Sequence, residues 1–560
     1  MNFSALDRPK ILEKLKTETF DLLVIGGGAT GCGIALDAAS RGLKTALVEK
    51  EDFASGTSSK STKLIHGGLR YLKQLDFGLV RETGTERAIV HRLAPHLVLP
   101  KKMLMPLIKG GTYGYWATWF GLWVYDVLAG VKGEDKRKML DKKQTLRYEP
   151  LLEENGLKGS GYYAEYRTDD ARLTIELIKT ANSFGALSLN YTMVLDFNYD
   201  GEKITAANVR DELTGEVFPV RAKNIVSAGG PWVDGLRKRD KSLKGKRLQL
   251  TKGVHIVFPH EKLPVNQTTY FDGPDGRMIF AIPRGQITYV GTTDTAYNGD
   301  KNRVVATKKD AAYIIRAVKH AFPSCNLGID DIISNWAGLR PLIHEDGKSP
   351  SELSRKDEIF ISDTGFISIA GGKLTGYRKM AQRVLDLVVD KSDDDFKDLP
   401  NFKSDCQTKD IFLVGNDFEN YEAVGAYIKK IETQVVKMGL PPHKSAYLVH
   451  NYGVQTELIL EEMEDFSDAS EIALARAEVW FGVHHEMVQS LEDFFVRRTG
   501  RLYFDIQSIE KVREAVVHDL KTYLKWDKKR CASENKRLDD LLYDATHYYD
   551  EELTAASQDK

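Results

Sequence analysis

Three glycines near the start of the chain have the spacing of a loop that holds phosphate groups. Gly26, Gly28 and Gly31 directly follow the short apolar run at residues 22–25. A side chain at these positions would obstruct a tight turn, the approach of backbone to a pyrophosphate, or the packing of a helix on a strand. The N–H groups and positive dipole end of the helix that follows would then bind the phosphates. The spacing therefore predicts a dinucleotide site.

The surrounding pattern places the glycines in a strand–helix–strand unit. Small and apolar residues recur at helical spacing over residues 29–40, Gly42 ends that helix, and residues 45–48 resemble a second buried strand. Glu49 stands at the tip of this strand, where its carboxylate can accept hydrogen bonds from ribose hydroxyls. A carboxylate there repels a 2′-phosphate, which disfavours NADP and leaves NAD and the adenosine half of FAD.

The composition is that of a large globular protein. With 560 residues, of which 42% are hydrophobic, the chain can form about two to four folding units with real cores. Its formal net charge of -1 argues against a nucleic-acid binder. We expect reduced thiols and no metal site, because the cysteines are far apart and lack metal-binding spacing. They are Cys32, Cys325, Cys406 and Cys531.

We expect no targeting signal from the pattern of this sequence. Residues 1–20 carry charges throughout and lack the apolar core of a signal peptide. The most apolar stretch, residues 110–125, is uncharged but shorter than the roughly 20 residues that a spanning helix needs. We therefore expect a cytoplasmic protein, and peripheral contact with the cytoplasmic face of the cell membrane stays open.

Two segments bear on such a membrane contact. Trp116, Trp119 and Trp123 recur at helical spacing and could form a stripe that enters a bilayer interface. A buried helix of a substrate domain is the slightly favoured interpretation. The basic run at residues 237–247 could meet anionic lipid, but a solvated loop is favoured there.

The segment after Glu49 points to a particular family. Residues 52–72 are DFASGTSSKSTKLIHGGLRYL, a polar and hydroxyl-rich stretch that could run along an extended cofactor. Joined to GGGATG upstream, this stretch resembles the N-terminal signature of the FAD-dependent glycerol-3-phosphate dehydrogenases. These belong to the flavoprotein superfamily of D-amino-acid and glycine oxidases. The resemblance is specific over residues 20–387 and weak from there to about residue 523.

The resemblance implies an α/β plus α+β fold in three parts. These are a Rossmann-like FAD-binding domain of the glutathione-reductase and D-amino-acid-oxidase type, an antiparallel-sheet substrate domain and a C-terminal helical domain. Strand-like runs joined by turns in the middle of the chain also favour the antiparallel sheet. The expected bounds are 1–90, 155–235 and 356–392 for the FAD domain, 91–154 and 236–355 for the substrate domain, 393–410 for a linker and 411–560 for the helical domain.

The same motifs imply which residues hold the cofactor. Residues 224–228 form a predicted strand that runs into GGPW, whose glycines permit a second close backbone approach. Some relatives attach flavin covalently through a histidine, but we expect non-covalent FAD with His66 near it. The expected cofactor-binding residues are Gly26, Gly28, Gly31, Glu49, Thr57, Ser58, Ser59, Lys63, His66, Gly67, Gly68, Ala228, Gly229, Gly372, Leu374 and Thr375.

The implied substrate is sn-glycerol 3-phosphate, oxidised to dihydroxyacetone phosphate by hydride transfer from C2 to flavin N5. Such a site needs cations for the phosphate and a proton acceptor for the hydroxyl. Arg340 and Lys373 are expected to hold the substrate, since the planar fork of arginine can bind two phosphate oxygens. His255 is expected as general base, although a lone histidine in a strand is more often a satisfied core residue.

Further substrate-binding candidates are Arg70, Tyr71 and Arg355, although Arg355 lies in a charged run where a solvated arginine is an alternative. The electron acceptor is less defined. Respiratory members of the family reduce a membrane quinone, which is the leading expectation. The alternative is an oxidase of amines, amino acids or the same phosphate ester that reduces oxygen to peroxide. A catalytically silent FAD-binding regulator is a third hypothesis, and the sequence leaves open whether the chain forms a homodimer.

Overall fold

The computed structural model describes residues 3–66, 77–128, 136–344, 357–392 and 396–550. Some residues that the sequence predicts to lie in the site fall outside these ranges. They are Gly67, Gly68, Arg70, Tyr71 and Arg355.

The described strands form two sheets, and the helices cover them and extend the chain at its C-terminus. In chain order the strands are β1 Thr19–Ile25, β2 Thr45–Val48, β3 Leu64–Ile65, β4 Leu99–Ile108, β5 Lys138–Asp141, β6 Leu157–Arg167, β7 Leu187–Leu189, β8 Thr192–Asp200, β9 Lys203–Asp211, β10 Val217–Ser227, β11 Leu248–Pro259, β12 Thr268–Asp272, β13 Met278–Arg284, β14 Ile287–Gly291, β15 Thr295–Ala296, β16 Ser334–Ile343, β17 Asp357–Ile361 and β18 Ile367–Gly371.

The α-helices are interspersed among the strands of both sheets and then follow one another from residue 421 onward. They are α1 Arg8–Thr17, α2 Ala29–Ser40, α3 Phe77–Leu93, α4 Tyr115–Leu128, α5 Lys142–Tyr148, α6 Asp170–Ser183, α7 Val233–Arg239, α8 Lys308–Ala321, α9 Tyr377–Lys391, α10 Tyr421–Lys437, α11 His443–Tyr452, α12 Thr456–Met463, α13 Ser470–His485, α14 Arg501–Phe504, α15 Gln507–Leu524 and α16 Lys528–Thr546.

The first sheet carries the glycine loop on a parallel centre. Its strand order is β17-β18-β10-β1-β2-β7, and the antiparallel strands β9 and β8 extend from β10. β1 pairs in parallel with both β10 and β2, and β10 pairs in parallel with β18. Leu22, Leu23 and Val24 are fully buried, which explains the continuous apolar run of a strand covered on both faces. The carboxyl ends of β1, β10 and β18 therefore meet at one edge.

The second sheet is largely antiparallel, as the sequence predicts. β11 pairs antiparallel with β14 and, over residues 248–257, with β16, and β13 continues the sheet from β14 to β12. β12 then joins β4 in parallel. The long β11–β16 ladder matters for the site, since it fixes which side chains of the two strands share a face.

The C-terminal helices pack in two groups. Helices α10–α13 enclose a core of their own, which includes Ile431, Leu448 and Leu474. Helices α15 and α16 instead share a core with the second sheet, where Val512 and Leu538 belong to the same cluster as Trp336. The C-terminal region is thus packed directly against the sheet that carries the substrate candidates.

Helix α4 corrects one expectation from the sequence. The expectation that it is a buried helix is wrong, because one face is exposed: Trp116 is 76%, Phe120 55% and Trp123 44% accessible. The opposite face packs on β6, where the Leu122 side chain lies against Gly161. No helix within the described ranges is long and apolar enough to cross a membrane.

Candidate active site

A cavity of about 470 Å³ opens at the edge where β1, β10 and β18 end. Ligands of open α/β sheets bind outside the carboxyl ends of the strands, which is where this cavity lies. Of the predicted residues, its lining contains Gly26, Gly28, Glu49, Thr57, Ser58, Ala228, Gly229, Gly372, Lys373 and Leu374. The other predicted residues that the structure describes do not line it: Gly31, Ser59, Lys63, His66, Thr375, His255 and Arg340.

The glycine loop fits a pyrophosphate. A Cβ at Gly31 would overlap the carbonyl oxygen of Gly26, and one at Gly26, whose φ is +113°, would lie 2.6 Å from the oxygen of Ala228. Gly28 precedes helix α2 and offers no side-chain cap to its first turn. Because residues at this helix start line the cavity, its N–H groups and dipole favour an anion there.

Glu49 is bound to the glycine loop. Its Oε2 accepts a hydrogen bond of 2.6 Å from Gly27 N, and its Oε1 accepts one of 3.1 Å from Glu51 N. Burial raises the pKa of this carboxyl group against the effect of those two hydrogen bonds. The sequence predicts a role toward ribose, but nothing in the motif indicates this second contact, which fixes the loop.

The opposite end of the cavity is formed by the turn after β18. Gly371 and Gly372 both have positive φ, and a Cβ at Gly372 would collide with the Met380 sulfur. Helix α9 then starts beside the cavity and provides a second anion-favouring N-terminus. Thr375 accepts a hydrogen bond of 3.2 Å from His66 N, which ties the segment after β3 to this turn.

Two predicted cofactor residues serve the packing of the segment between Ser59 and Lys63. Lys63 is buried, forms an ion pair with Asp170 and donates a hydrogen bond of 3.0 Å to the carbonyl of Ser59. These contacts hold the hydroxyl-rich segment on helix α6. The motif alone could not separate them from the neighbouring Thr57 and Ser58, which do line the cavity.

His255 and Arg340 share one face of the second sheet. In the β11–β16 ladder His255 lies opposite Trp336, and Gly253 lies opposite Gly338. Arg340 is four residues beyond Trp336, so the alternation of strand side chains places it on the same face. Neither facing glycine carries a side chain, so the Arg340 guanidinium can extend over Gly253, and Lys60 packs closely over Gly338.

The His255 imidazole is buried and neutral. Its Nε2 lies 3.0 Å from Thr62 Oγ1, its ring stacks on Trp336 with centroids 4.8 Å apart, and its buried Nδ1 has no hydrogen-bond partner among the described residues. Burial, followed by the charges of Arg340 and Lys63, lowers the pKa of His255 well below its ordinary value. The lowered pKa leaves the imidazole unprotonated near neutral pH and also makes it a weaker proton acceptor than an exposed histidine.

Arg340 is held by the loop after β14. Its guanidinium donates hydrogen bonds to Thr293 O at 3.1 Å and Thr292 Oγ1 at 2.8 Å, and it pairs with Asp294 at 3.3 Å. Thr62, Trp336 and Asp294 thus surround the two candidates, and sequence reasoning missed all three. The only signal that could have identified Trp336 is its place in WAGLRPL, four residues before Arg340.

Two family models match the chain in succession. Residues 21–378 match a model described as FAD dependent oxidoreductase, and residues 406–531 match the C-terminal domain of alpha-glycerophosphate oxidase. The aerobic glycerol-3-phosphate dehydrogenase of Bacillus subtilis (strain 168) is 47% identical over 550 residues, which cover 97% of this chain and 98% of that protein. The chain belongs to the FAD-dependent glycerol-3-phosphate dehydrogenase family. The corresponding dehydrogenase of Staphylococcus haemolyticus is 46% identical, with 98% of each chain covered.

A solved structure supports the same family and its cofactor. It is a glycerol-3-phosphate dehydrogenase from Bacillus halodurans complexed with FAD, and it is 42% identical with a TM-score of 0.83, covering 98% of this chain and 99% of that one. FAD is the cofactor of this flavoprotein. The close-packed glycine loop, the two helix N-termini and the buried Glu49 give the cavity the features that FAD requires.

Proposed function

We propose that this flavoprotein oxidises sn-glycerol 3-phosphate to dihydroxyacetone phosphate and transfers the electrons to a membrane quinone. The observation that carries the proposal is the placement of Arg340 and His255 on one face of the β11–β16 ladder, where the intervening pair Gly253 and Gly338 carries no side chains. A cation for the phosphate and a neutral base for the hydroxyl are what this oxidation needs. The names of the relatives supply the identity of the substrate.

When bound, FAD supplies the acceptor, at its N5 atom, for the hydride that leaves C2 of the substrate. In the proposal the chain holds it without a covalent bond. Gly26, Gly28 and Ser58 bind the pyrophosphate of FAD, and Glu49 binds its ribose. Gly372, which has no side chain, lets the flavin ring approach the backbone. The remaining predicted cofactor residues, including Gly67 and Gly68, stay predictions.

The substrate is held and deprotonated by side chains of this chain. Arg340, already fixed by the loop after β14, binds the phosphate with its planar fork, and Lys373 adds a second cation beside the cavity. His255 accepts the proton of the C2 hydroxyl at Nδ1, the ring nitrogen that has no partner among the described residues. Arg70, Tyr71 and Arg355 are proposed as further substrate contacts.

The exposed face of helix α4 supports the membrane acceptor. Trp116, Trp119, Phe120 and Trp123 are all at least 41% accessible, and large aromatic side chains of this kind favour the membrane–water interface. In the proposal this face enters the lipid interface and brings the flavoprotein to the quinone. Vesicle binding should weaken on Trp116→Ser with Trp119→Ser. The control Phe184→Ser, which removes an aromatic side chain with 46% exposure elsewhere, should bind as the wild type does.

A peroxide-forming oxidase is the second candidate. The match of residues 406–531 to the C-terminal domain of alpha-glycerophosphate oxidase favours it. The two candidates share substrate and cofactor and differ only in the acceptor. A direct comparison of acceptors therefore separates them.

The deciding experiment follows the flavin colour of the purified holoenzyme without oxygen. We expect sn-glycerol 3-phosphate to bleach the flavin, while glycerol and glycine do not; an unbleached flavin would overturn the proposed oxidation and favour a silent regulator. Steady-state turnover should then prefer a quinone analogue to oxygen. Rapid recolouring in air with release of peroxide would assign the oxidase.

Arg340→Ala should lose most turnover and retain FAD. Acid extraction should release the flavin into solution, because we propose that it is not covalently attached.

A further inference from the structure

The wall of the cofactor cavity includes a loop whose anchor lies outside the FAD domain. Lys50, Ser55, Gly56, Thr57 and Ser58 of this loop line the cavity. Asp52 is in the same loop but does not line the cavity, and it is completely buried. A fully buried carboxylate must be matched by donors, so its partners determine where the loop can lie.

The partners of Asp52 are two consecutive arginines from the C-terminal region. Arg497 Nε donates to Oδ2 at 2.7 Å, while Arg498 donates to Oδ2 at 2.7 Å and to Oδ1 at 3.0 Å. Asn190, after β7, donates to Oδ1 at 3.0 Å. Burial alone would raise the pKa of Asp52, but the two guanidinium groups hold that pKa below its ordinary value. The carboxylate is therefore ionised and saturated with hydrogen bonds.

The arginines are themselves fixed before they reach Asp52. They end a single π-helical turn, Asp493–Arg498, and both side chains are buried. Arg497 is also bound to Asp493 at 2.8 Å and to Glu492 at 2.9 Å, while Arg498 donates to the carbonyl of Glu486 at 2.7 Å. Their positions are thus set by the C-terminal region and not by the loop.

The loop that carries Asp52 is also hydrogen-bonded to the glycine loop. Two residues after Asp52, Ala54 has a positive φ of 63°, and its N–H donates to Gly27 O at 3.0 Å. Ser55 N donates back to the Asp52 carbonyl at 3.1 Å. A displacement of Asp52 would therefore move the lining residues after it and loosen the contact with the glycine loop.

We propose that Arg497 and Arg498 are positioning residues for the cofactor, so that the C-terminal region holds FAD in place through the Asp52 loop. The inference rests on FAD as the cofactor and is independent of which substrate or acceptor is used. It gives the C-terminal region a role in cofactor retention besides its packing on the second sheet.

The test measures the release of flavin from the diluted holoenzyme and the FAD concentration that restores half of the turnover. Arg498→Lys and Asp52→Asn should each raise the dissociation constant for FAD about tenfold or more, because each removes part of the direct ion pair between Arg498 and Asp52. Turnover at saturating FAD should return to near the wild-type value. Circular dichroism confirms that each variant is folded, and Arg497→Lys replaces any variant that is not.

Arg501→Lys is the matched control. Arg501 is equally buried in the same region and forms an ion pair of 2.9 Å with Glu478, but within the described part of the chain it forms no hydrogen bond or ion pair with residues 50–58. It should lower the thermal midpoint and leave the FAD dissociation constant unchanged. The inference is overturned if the Asp52 and Arg498 variants retain FAD within twofold of the wild type, or if Arg501→Lys weakens FAD as much as they do.

Discussion

The Arg340 guanidinium lies directly over Gly253, so that a Cβ atom at Gly253 would come within 2.5 Å of Arg340 Nη2. Backbone pairing sets this relationship, because Gly253 and Gly338 face each other in the β11–β16 ladder. The guanidinium is the end of a long side chain and can move aside. A substitution at Gly253 should therefore cost function more than folding.

We predict that Gly253→Ala lowers kcat/KM for sn-glycerol 3-phosphate by about tenfold to a hundredfold, the size of effect that a displacement of about 1 Å produces. FAD content and the thermal midpoint should stay close to those of the wild type. Gly114→Ala is the control, since a Cβ there meets no atom within 4 Å. Unchanged kcat/KM in Gly253→Ala would show that the position of Arg340 is not needed for turnover.

Thr62 is predicted to orient the proposed base. Its hydroxyl lies 3.0 Å from His255 Nε2, so Thr62→Val removes the partner of that nitrogen without a large change in volume. We expect kcat to fall by about tenfold, a modest part of what general-base catalysis contributes. Thr62→Ser keeps a hydroxyl and should restore most of the turnover. Equal kcat values for the valine and serine variants at full FAD loading would contradict an orienting role.

The local parts of the site could be predicted from the sequence. The glycine loop and its flanking strands are encoded within about thirty consecutive residues, and their pattern reflects steric needs that the structure displays at Gly26 and Gly31. The antiparallel middle sheet follows from short alternating runs in the same way. Such features need no knowledge of distant partners.

The parts that depend on distant partners could not be predicted. Asp52 meets Arg498 across 446 positions of the chain, and no local pattern marks either residue. Lys63 lies in the recognised motif, but its side chain forms an ion pair with Asp170 and does not line the cavity. A buried ammonium group is stable only beside a carboxylate, and the motif does not show where that carboxylate lies. The sequence left the exposure of helix α4 between two alternatives, because an apolar helix has the same composition whether it is buried in a core or exposed.

The stability of the folded protein in acid should depend on two histidines, which lie where the N-terminal part of the chain contacts the C-terminal helices. His96 is fully buried, and His450 Nδ1 donates a hydrogen bond of 3.0 Å to the His96 carbonyl oxygen. Burial lowers the pKa of each to about 3, so the folded protein binds fewer protons than the unfolded chain once the pH falls below about 6.5. The stability they contribute is present above that pH and declines below it, by about 1.4 kcal/mol per pH unit for each histidine.

The thermal midpoint should therefore decrease as the pH is lowered from 6.5 to 4.5. This range lies above the pH at which the ion-paired carboxylates become protonated. In His96→Leu the thermal midpoint should change less with pH than in the wild type, whatever the effect of the substitution on stability at neutral pH. His518→Leu removes an exposed histidine and serves as the control. A slope in His96→Leu as steep as that of the wild type would exclude His96 as a source of the acid sensitivity.

The glycine loop gives the sharpest prediction on the cofactor. A Cβ at Gly31 would overlap the backbone oxygen of Gly26, and backbone atoms in a loop packed against Ala228 cannot move aside as a side chain can. Gly31→Ala should therefore yield protein that purifies without flavin. Gly425→Ala places the same methyl group on helix α10, where it meets no atom within 4 Å, and should keep its full flavin absorbance. Since alanine also favours helices, a purely helical effect would stabilise both variants, so loss of flavin from Gly31→Ala alone isolates the steric requirement of the loop.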